Sequence, residues 1–247
     1  MTPNVTLEQR SEIKFSLSPE KEIVLTTAAG VFTPTGTTHL LIQAVQKTIS
    51  SSNTLLDLGC GTGVVGLALY LHGLIKSRLY ASDLSETAVS CSRENFARYD
   101  CPAEVRGGSL FQPWAGEKFD VIVDDISGVA QDVAVVSPWF KGIPSATGRD
   151  GTALVVDILR HAPQHLNEGG RFFFPVLSLS NVDVLLLEAR KNFAAVDLVT
   201  RLEWPLPAEL KPHIPLLKKL AEEGCIRLQE RFGMVLCYTE VYCASNS

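Results

Sequence analysis

The tightest constraint in this chain is a series of alternating glycines placed directly after an apolar strand. Thr54-Leu55-Leu56-Asp57-Leu58 leads into Gly59-Cys60-Gly61-Thr62-Gly63, and Val64-Val65-Gly66-Leu67 begins an apolar helix. Glycine at every second position lets the backbone turn tightly and lie against a ligand, where any Cβ would collide. A plain strand-to-helix turn has no need of such a series. The pattern therefore points to an open α/β sheet with a ligand seated beyond the carboxyl end of this strand.

Two cofactors suit such a loop. Gly61-Thr62-Gly63-Val64-Val65-Gly66 also satisfies the Gly-x-Gly-x-x-Gly pattern of dinucleotide binding, a weak signal when alone. Asp57 argues against it. A carboxylate two residues before the first glycine crowds a pyrophosphate, whereas it can hold the methionine ammonium group of S-adenosylmethionine directly or through water. The loop also follows a substantial N-terminal region instead of opening the domain. S-adenosylmethionine is thus the expected cofactor, with Asp57, Gly59, Gly61 and Gly63 at its methionine end. Asp83, with Leu84 beside it, ends the next strand, where a carboxylate can accept both ribose hydroxyls. Ser85, followed by Glu86, fits the cap of the next helix better than Asp83 does.

From residue 37 onward apolar periodicity alternates between strand and helix. Strands are expected at 54–58, 78–82, 103–107, 121–124, 171–175, 196–203 and 234–244, with helices at 37–49, 64–71, 86–99, 151–161 and 182–191. Such alternation implies a doubly wound, mostly parallel sheet of seven strands, the last antiparallel. Residues 1–12 read as loose. Ile13, Phe15 and Leu17, then Ile23 and Leu25, read as a short hairpin around Ser18-Pro19-Glu20-Lys21. The expected organisation is an N-terminal hairpin and helix extension over 1–50 and a cofactor-binding catalytic domain over 51–247. A Pro-rich insert at about 205–230 reads either as a lid or as a packing excursion.

Composition limits the partners. The chain has 247 residues, 46% hydrophobic, enough for one large core. No segment in the first 50 residues has the length of a membrane span or the order of a secretory signal, so a cytoplasmic protein with no membrane partner is expected. The six cysteines form no Cys-x-x-Cys pair and read as reduced, packed side chains; no metal is expected. Net charge is −5 and the basic residues are scattered, which argues for a small-molecule substrate and against nucleic acid. Nothing in the sequence addresses oligomeric state.

The fourth strand, Phe119-Asp120-Val121-Ile122-Val123, opens into Asp124-Asp125-Ile126-Ser127-Gly128, a loop that should face the methyl group. Gly30-Val31-Phe32-Thr33-Pro34, the loop 57–63, Asp83 with Asn95 downstream, and Gly108-Ser109-Leu110-Phe111 together resemble the class I S-adenosylmethionine-dependent methyltransferases. Within these the likeness is to the small-domain group that includes the release-factor glutamine-N5 enzymes. Gly148-Arg149-Asp150-Gly151 and Leu166-Asn167-Glu168-Gly169-Gly170 extend the likeness, which covers residues 28–195. The resemblance implies that Ser109 and Leu110 wall the adenine, although Leu110 and Phe111 suit a core equally. It also implies an acceptor loop of Asn-Pro-Pro-Tyr, and here the chain departs: the amide is replaced by Asp125 and the prolines and aromatic are missing. Glutamine in a release factor is therefore not the expected substrate.

A carboxylate beside the acceptor stabilises an emerging ammonium or accepts a proton, so Asp125 is assigned as the catalytic residue. Asp124, turned the opposite way by strand alternation, is assigned to the cofactor. The alternative for each is to cap a helix around 130–136. Asn181, after the fifth strand, is the second catalytic candidate, as a hydrogen-bonding partner of the substrate. Trp139 and Phe140 suit an acceptor wall or core packing, and His161 and His165 a solvated helix face. Three activities fit these residues: methyl transfer to nitrogen or oxygen of a small molecule; consumption of S-adenosylmethionine without methylation, by cyclisation to azetidine-2-carboxylate; and protein methylation or cofactor binding without catalysis.

Overall fold

The structure is a computed structural model and describes residues 10–126, 128–141, 143 and 146–246. The loose segment expected over 1–12 lies outside the described residues up to residue 9, and residues 10–12 already belong to a strand. That strand, β1 (Arg10–Ser18), pairs antiparallel with β2 (Lys21–Ala28), and Ser18 sits opposite Lys21 at the turn. Helix α1 (Gly36–Thr48) follows. Its start is set by a reciprocal capping box: the Thr35 hydroxyl accepts from Thr37 N–H while Thr38 Oγ1 accepts from Thr35 N–H.

The alternating half then begins with β3 (Ser52–Leu58), α2 (Val64–Leu71), β4 (Ile75–Asp83), α3 (Glu86–Arg98), β5 (Ala103–Gly107) and β6 (Phe119–Asp124). It continues through α4 (Gln131–Val136), α5 (Ala153–His161), β7 (Leu166–Leu177), α6 (Val182–Asn192) and β8 (Ala195–Pro205). The last elements are α7 (Ile214–Glu222), β9 (Gln229–Arg231) and β10 (Met234–Ser245). The strands order as β5-β4-β3-β6-β7-β10-β8, with the short β9 pairing to β10 as an eighth. β3 through β7 pair in parallel, and β10 runs antiparallel to both β7 and β8. The doubly wound sheet with an antiparallel last strand is therefore present. The strand β7 starts five residues before the expected 171, because Leu166 pairs with Phe119 and carries the ladder across Glu168-Gly169-Gly170.

Parallel strands covered on both faces need continuous apolar runs. Phe172, Phe173 and Phe174 of β7 are all fully buried, contributing alternately to two cores. One core holds α1, α2 and the hairpin residues Phe15, Ile23 and Leu25 against the sheet; the other holds α5, α6 and Trp114. A third forms where Leu206, Leu210, Leu217 and Leu220 meet Val129 and Val133. The insert after β8 is thus packed against the rest of the chain. All six cysteines are buried and none is bonded to another. No helix among the described residues is long and apolar enough to cross a membrane.

The order of strand addition reverses between β3 and β6, so the crevice beyond Leu58 and Asp124 is the switch point where such sheets bind ligands. Asn95 of α3 holds the loops there together. Its Oδ1 accepts from Thr26 N–H (2.6 Å), and its Nδ2 donates to the carbonyls of Thr26 and Thr62, both at 2.9 Å. One fully buried amide therefore ties the hairpin to the glycine loop. Asn95→Ala would strand these backbone groups in the core and should destabilise the protein by about 3 kcal/mol in denaturant titration. A loss below about 1 kcal/mol would mean that the three bonds are not made.

Candidate functional site

A cavity of about 600 Å³ opens at this crevice, a size usual for a cofactor site. Of the residues expected there, Asp57, Gly59, Gly61, Asp83, Leu84, Ser109, Leu110 and Asp125 line it. The glycine loop is shaped by contact as well as by conformation. A Cβ on Gly59 would run into the Ile126 side chain, and one on Gly63 would lie 2.6 Å from the Phe96 ring. Gly63 accordingly faces α3 instead of the cavity, with φ +77° at the start of α2. Gly61, by contrast, has no protein atom closer than 4.0 Å to a built Cβ, so its open side belongs to the cavity.

Both loop carboxylates brace backbone. Asp83 accepts from Gly61 N–H and Ser85 N–H, each at 2.9 Å, while Ser85 caps α3 through Ala88 N–H. Asp57 accepts from Gly66 N–H (2.8 Å), which anchors the first turn of α2. Burial pushes the Asp57 carboxyl up to about 8, with the Gly66 bond opposing and the charges of Asp125 and Asp83 adding. Thr62 also lines the cavity, and its buried hydroxyl has no partner among the described residues. Leu84 is 75% exposed at the rim, and Leu110 holds a left-handed φ of +47°.

Beyond β6, Asp125 Oδ2 accepts from Thr38 Oγ1 (2.7 Å), and its buried Oδ1 has no partner among the described residues. Burial raises this carboxyl to about 7, against the opposing Thr38 bond. Asp124 is turned away, as strand alternation requires, and does not line the cavity. Its Oδ1 accepts from Ile126 N–H (2.8 Å), and burial holds its carboxyl well above the usual range. The cofactor assignment of Asp124 is thus corrected to support of the loop backbone. Neither acid caps α4, whose N-cap is Ala130.

Asn181 is also placed elsewhere. Its side chain accepts from Val184 N–H as the cap of α6, and it does not line the cavity. A capping asparagine after a strand carries the same local signal as a substrate-binding one. Ser127 falls outside the described residues. Sequence reasoning missed Thr38: its capping box is a local pattern, but its bond to Asp125 spans 87 positions. Phe32, beside Phe140 at 5.6 Å between centroids, is a further cavity residue, from the segment 30–34 to which the sequence attached no role.

The three raised carboxyls set a pH dependence. Each holds its proton more tightly folded than unfolded, so the stability it contributes is full below about pH 4 and is lost as pH rises through its folded value. The melting temperature of the ligand-free protein should therefore fall between about pH 5 and about pH 9. Asp57→Asn and Asp125→Asn should each flatten that fall; a slope unchanged by either variant would show these acids to be ionised throughout.

With this geometry in view, known proteins give a consistent picture. Residues 22–125 match the family described as the methyltransferase small domain. The ribosomal protein L11 methyltransferase of Thermotoga maritima is 35% identical over 127 residues, covering 50% of this chain and 43% of that one. The enzyme of the same name from Staphylococcus haemolyticus is 33% identical over 92 residues, covering 36% and 28%. The chain thus spans less than half the length of these relatives. Among solved structures, the T. thermophilus 16S rRNA N2 G1207 methyltransferase, in complex with AdoMet and guanosine, overlays with TM-score 0.62. That match covers 96% of this chain and 51% of that one at 15% identity. The ribosomal protein L11 methylase of Lactobacillus delbrueckii gives 0.55, covering 92% and 97% at 16% identity.

These relatives correct the expectation of a small-molecule substrate with nucleic acid disfavoured, since their names give a ribosomal protein and a ribosomal RNA as substrates. The physical reason is that net charge sums the whole surface and says little about one crevice. Residues 22–125 are thus similar to the methyltransferase small domain, and the chain shares the fold of these solved methyltransferases.

Proposed function

We propose that this chain is an S-adenosylmethionine-dependent methyltransferase whose acceptor is an amine nitrogen of a protein. Residues 51–247 are its catalytic domain, and the hairpin with α1 is the extension that completes the acceptor side. One observation carries the acceptor reading: Asp125, whose buried Oδ1 has no hydrogen-bond partner among the described residues, lines a cavity also lined by Asp57 and Asp83. No lysine or arginine among the described residues lines that cavity. Such a site favours groups that donate hydrogen bonds and gain positive charge.

The cofactor supplies an electrophilic methyl group on a sulfonium. The residues present suit it: the open face of Gly61 leaves room for it beside the loop, and Asp57 matches its ammonium. Asp83 retains lone pairs for ribose hydroxyls beyond its bonds to Gly61 and Ser85. Ser109, Leu110 and the exposed Leu84 form the apolar rim for the adenine. Asp125 then acts on the acceptor. With that group bound, transfer of its methyl would leave the carbon–sulfur electron pair on sulfur and positive charge on the acceptor nitrogen, and Asp125 would stabilise that charge and take the proton that the nitrogen releases. Holding the reactants in line contributes most, up to about 7–11 kcal/mol.

A second reading, an amine of ribosomal RNA, is favoured by the overlay on the 16S rRNA enzyme across 96% of this chain. One experiment separates the two. The protein is incubated with labelled S-adenosylmethionine alone, with a cell-extract protein fraction, and with total RNA. Label should enter protein only; label in RNA would overturn the protein reading, and methylthioadenosine formed without an acceptor would overturn methyl transfer. Gly61→Val and Asp83→Ala should each weaken cofactor binding in calorimetry by at least about 100-fold. Asp125→Asn should keep cofactor affinity and lower transfer by about 10²–10⁴-fold.

A further inference from the structure

A second, smaller cavity of about 200 Å³ adjoins the cofactor cavity and shares two of its walls, Phe32 and Phe140. Its other aromatic walls are Trp139 and Trp204, set edge to face with centroids 6.0 Å apart. The Trp204 indole N–H donates to Thr239 Oγ1 (3.1 Å), so its polar atom is already engaged. Leu202 of β8 stands at this cavity and is 48% exposed.

No charged side chain among the described residues lines this space. An anion there would be desolvated without a counter-charge. A cation would gain from the aromatic faces, but it would meet the N-terminal end of α1 at Thr35 and Thr37, where the helix dipole is positive. A neutral apolar group meets neither penalty. An apolar cavity of about 150 Å³ is large enough to take benzene, so this one has room for a single phenyl or isobutyl group.

We propose that this cavity is a specificity subsite for one uncharged apolar side chain, phenylalanine or leucine in type, of the protein segment that delivers the acceptor amine. The inference rests on the protein-amine reading above. The shared Phe32 and Phe140 walls place the subsite beside the acceptor nitrogen and not on it. The side chain that enters therefore belongs to a neighbouring residue of the same segment. Burying it adds selectivity for the sequence around the amine and leaves the transfer chemistry to Asp125.

The test has two arms. In the first, toluene and tetramethylammonium are titrated against the protein and followed by tryptophan fluorescence. Toluene should bind saturably, with and without S-adenosylhomocysteine, and tetramethylammonium should not. The reverse order would replace the apolar subsite with a cation cage and overturn the proposal. Leu202→Trp, a change at a half-exposed position, should block toluene while cofactor affinity and melting temperature stay unchanged.

In the second arm, synthetic peptides carry one lysine, with phenylalanine, leucine, serine or aspartate placed in turn at each nearby position. At one spacing, phenylalanine or leucine should raise kcat/KM about tenfold or more over serine or aspartate, and Leu202→Trp should erase that preference. Equal rates at every spacing, or a preference that survives Leu202→Trp, would overturn the subsite while leaving protein methylation standing. Label entering RNA and no peptide would overturn the protein reading and the subsite with it.

Discussion

The side-chain amide of Asn95 is the joint on which the crevice depends. By bonding Thr26 and Thr62 together it makes the hairpin and the glycine loop one unit, although the two lie far apart in sequence. The consequences run outward. With β2 fixed, the segment that follows brings Phe32 to the cavity and sets the start of α1, so that Thr38 meets Asp125. The Asp125 carboxylate is thus positioned from the N-terminal extension, and the glycine loop and the wall that carries Asp125 share one anchor.

The electrostatics of the crevice follow from burial more than from the sign of the whole chain. Asp57, Asp124 and Asp125 are withdrawn from water, and each carboxyl is held above its ordinary range. Such a site costs stability when its acids ionise and recovers it when a positively charged group arrives. A ligand with an ammonium and a sulfonium suits that cavity, and so does an amine that becomes charged during the reaction. The same acids would be a liability in a protein that kept the cavity empty.

What the sequence disclosed was whatever short-range spacing can carry. The glycine loop, Asp83 at the end of the next strand, the Ser85 cap and the parallel alternation were legible because each depends on neighbours within a few residues. The split between Asp124 and Asp125 was legible for the same reason, since side chains alternate along a strand. The cofactor role given to Asp124 and the substrate role given to Asn181 were not sound. Both residues sit on the functional edge of the sheet, but their side chains are taken up by nearby backbone N–H groups, of Ile126 and Val184. Thr38 could not be found at all, and Phe32 only as part of a family-like segment with no role attached, because their partners are set by the tertiary fold. The expectation about the substrate failed on scale: a net charge of −5 describes the surface of 247 residues, not the lining of one cavity.

The close approach of Ile126 to Gly59 has a consequence for how this site can change over generations. The first glycine of the cofactor loop has no Cβ, and the acceptor loop fills that vacancy with a branched apolar side chain. The two loops are cut to each other like a key and its ward. A lineage that enlarges residue 59 must shrink residue 126, and one that restores a rigid proline at 126 must reshape the space above 59. The glycine loop and the loop after β6 are therefore constrained to change together.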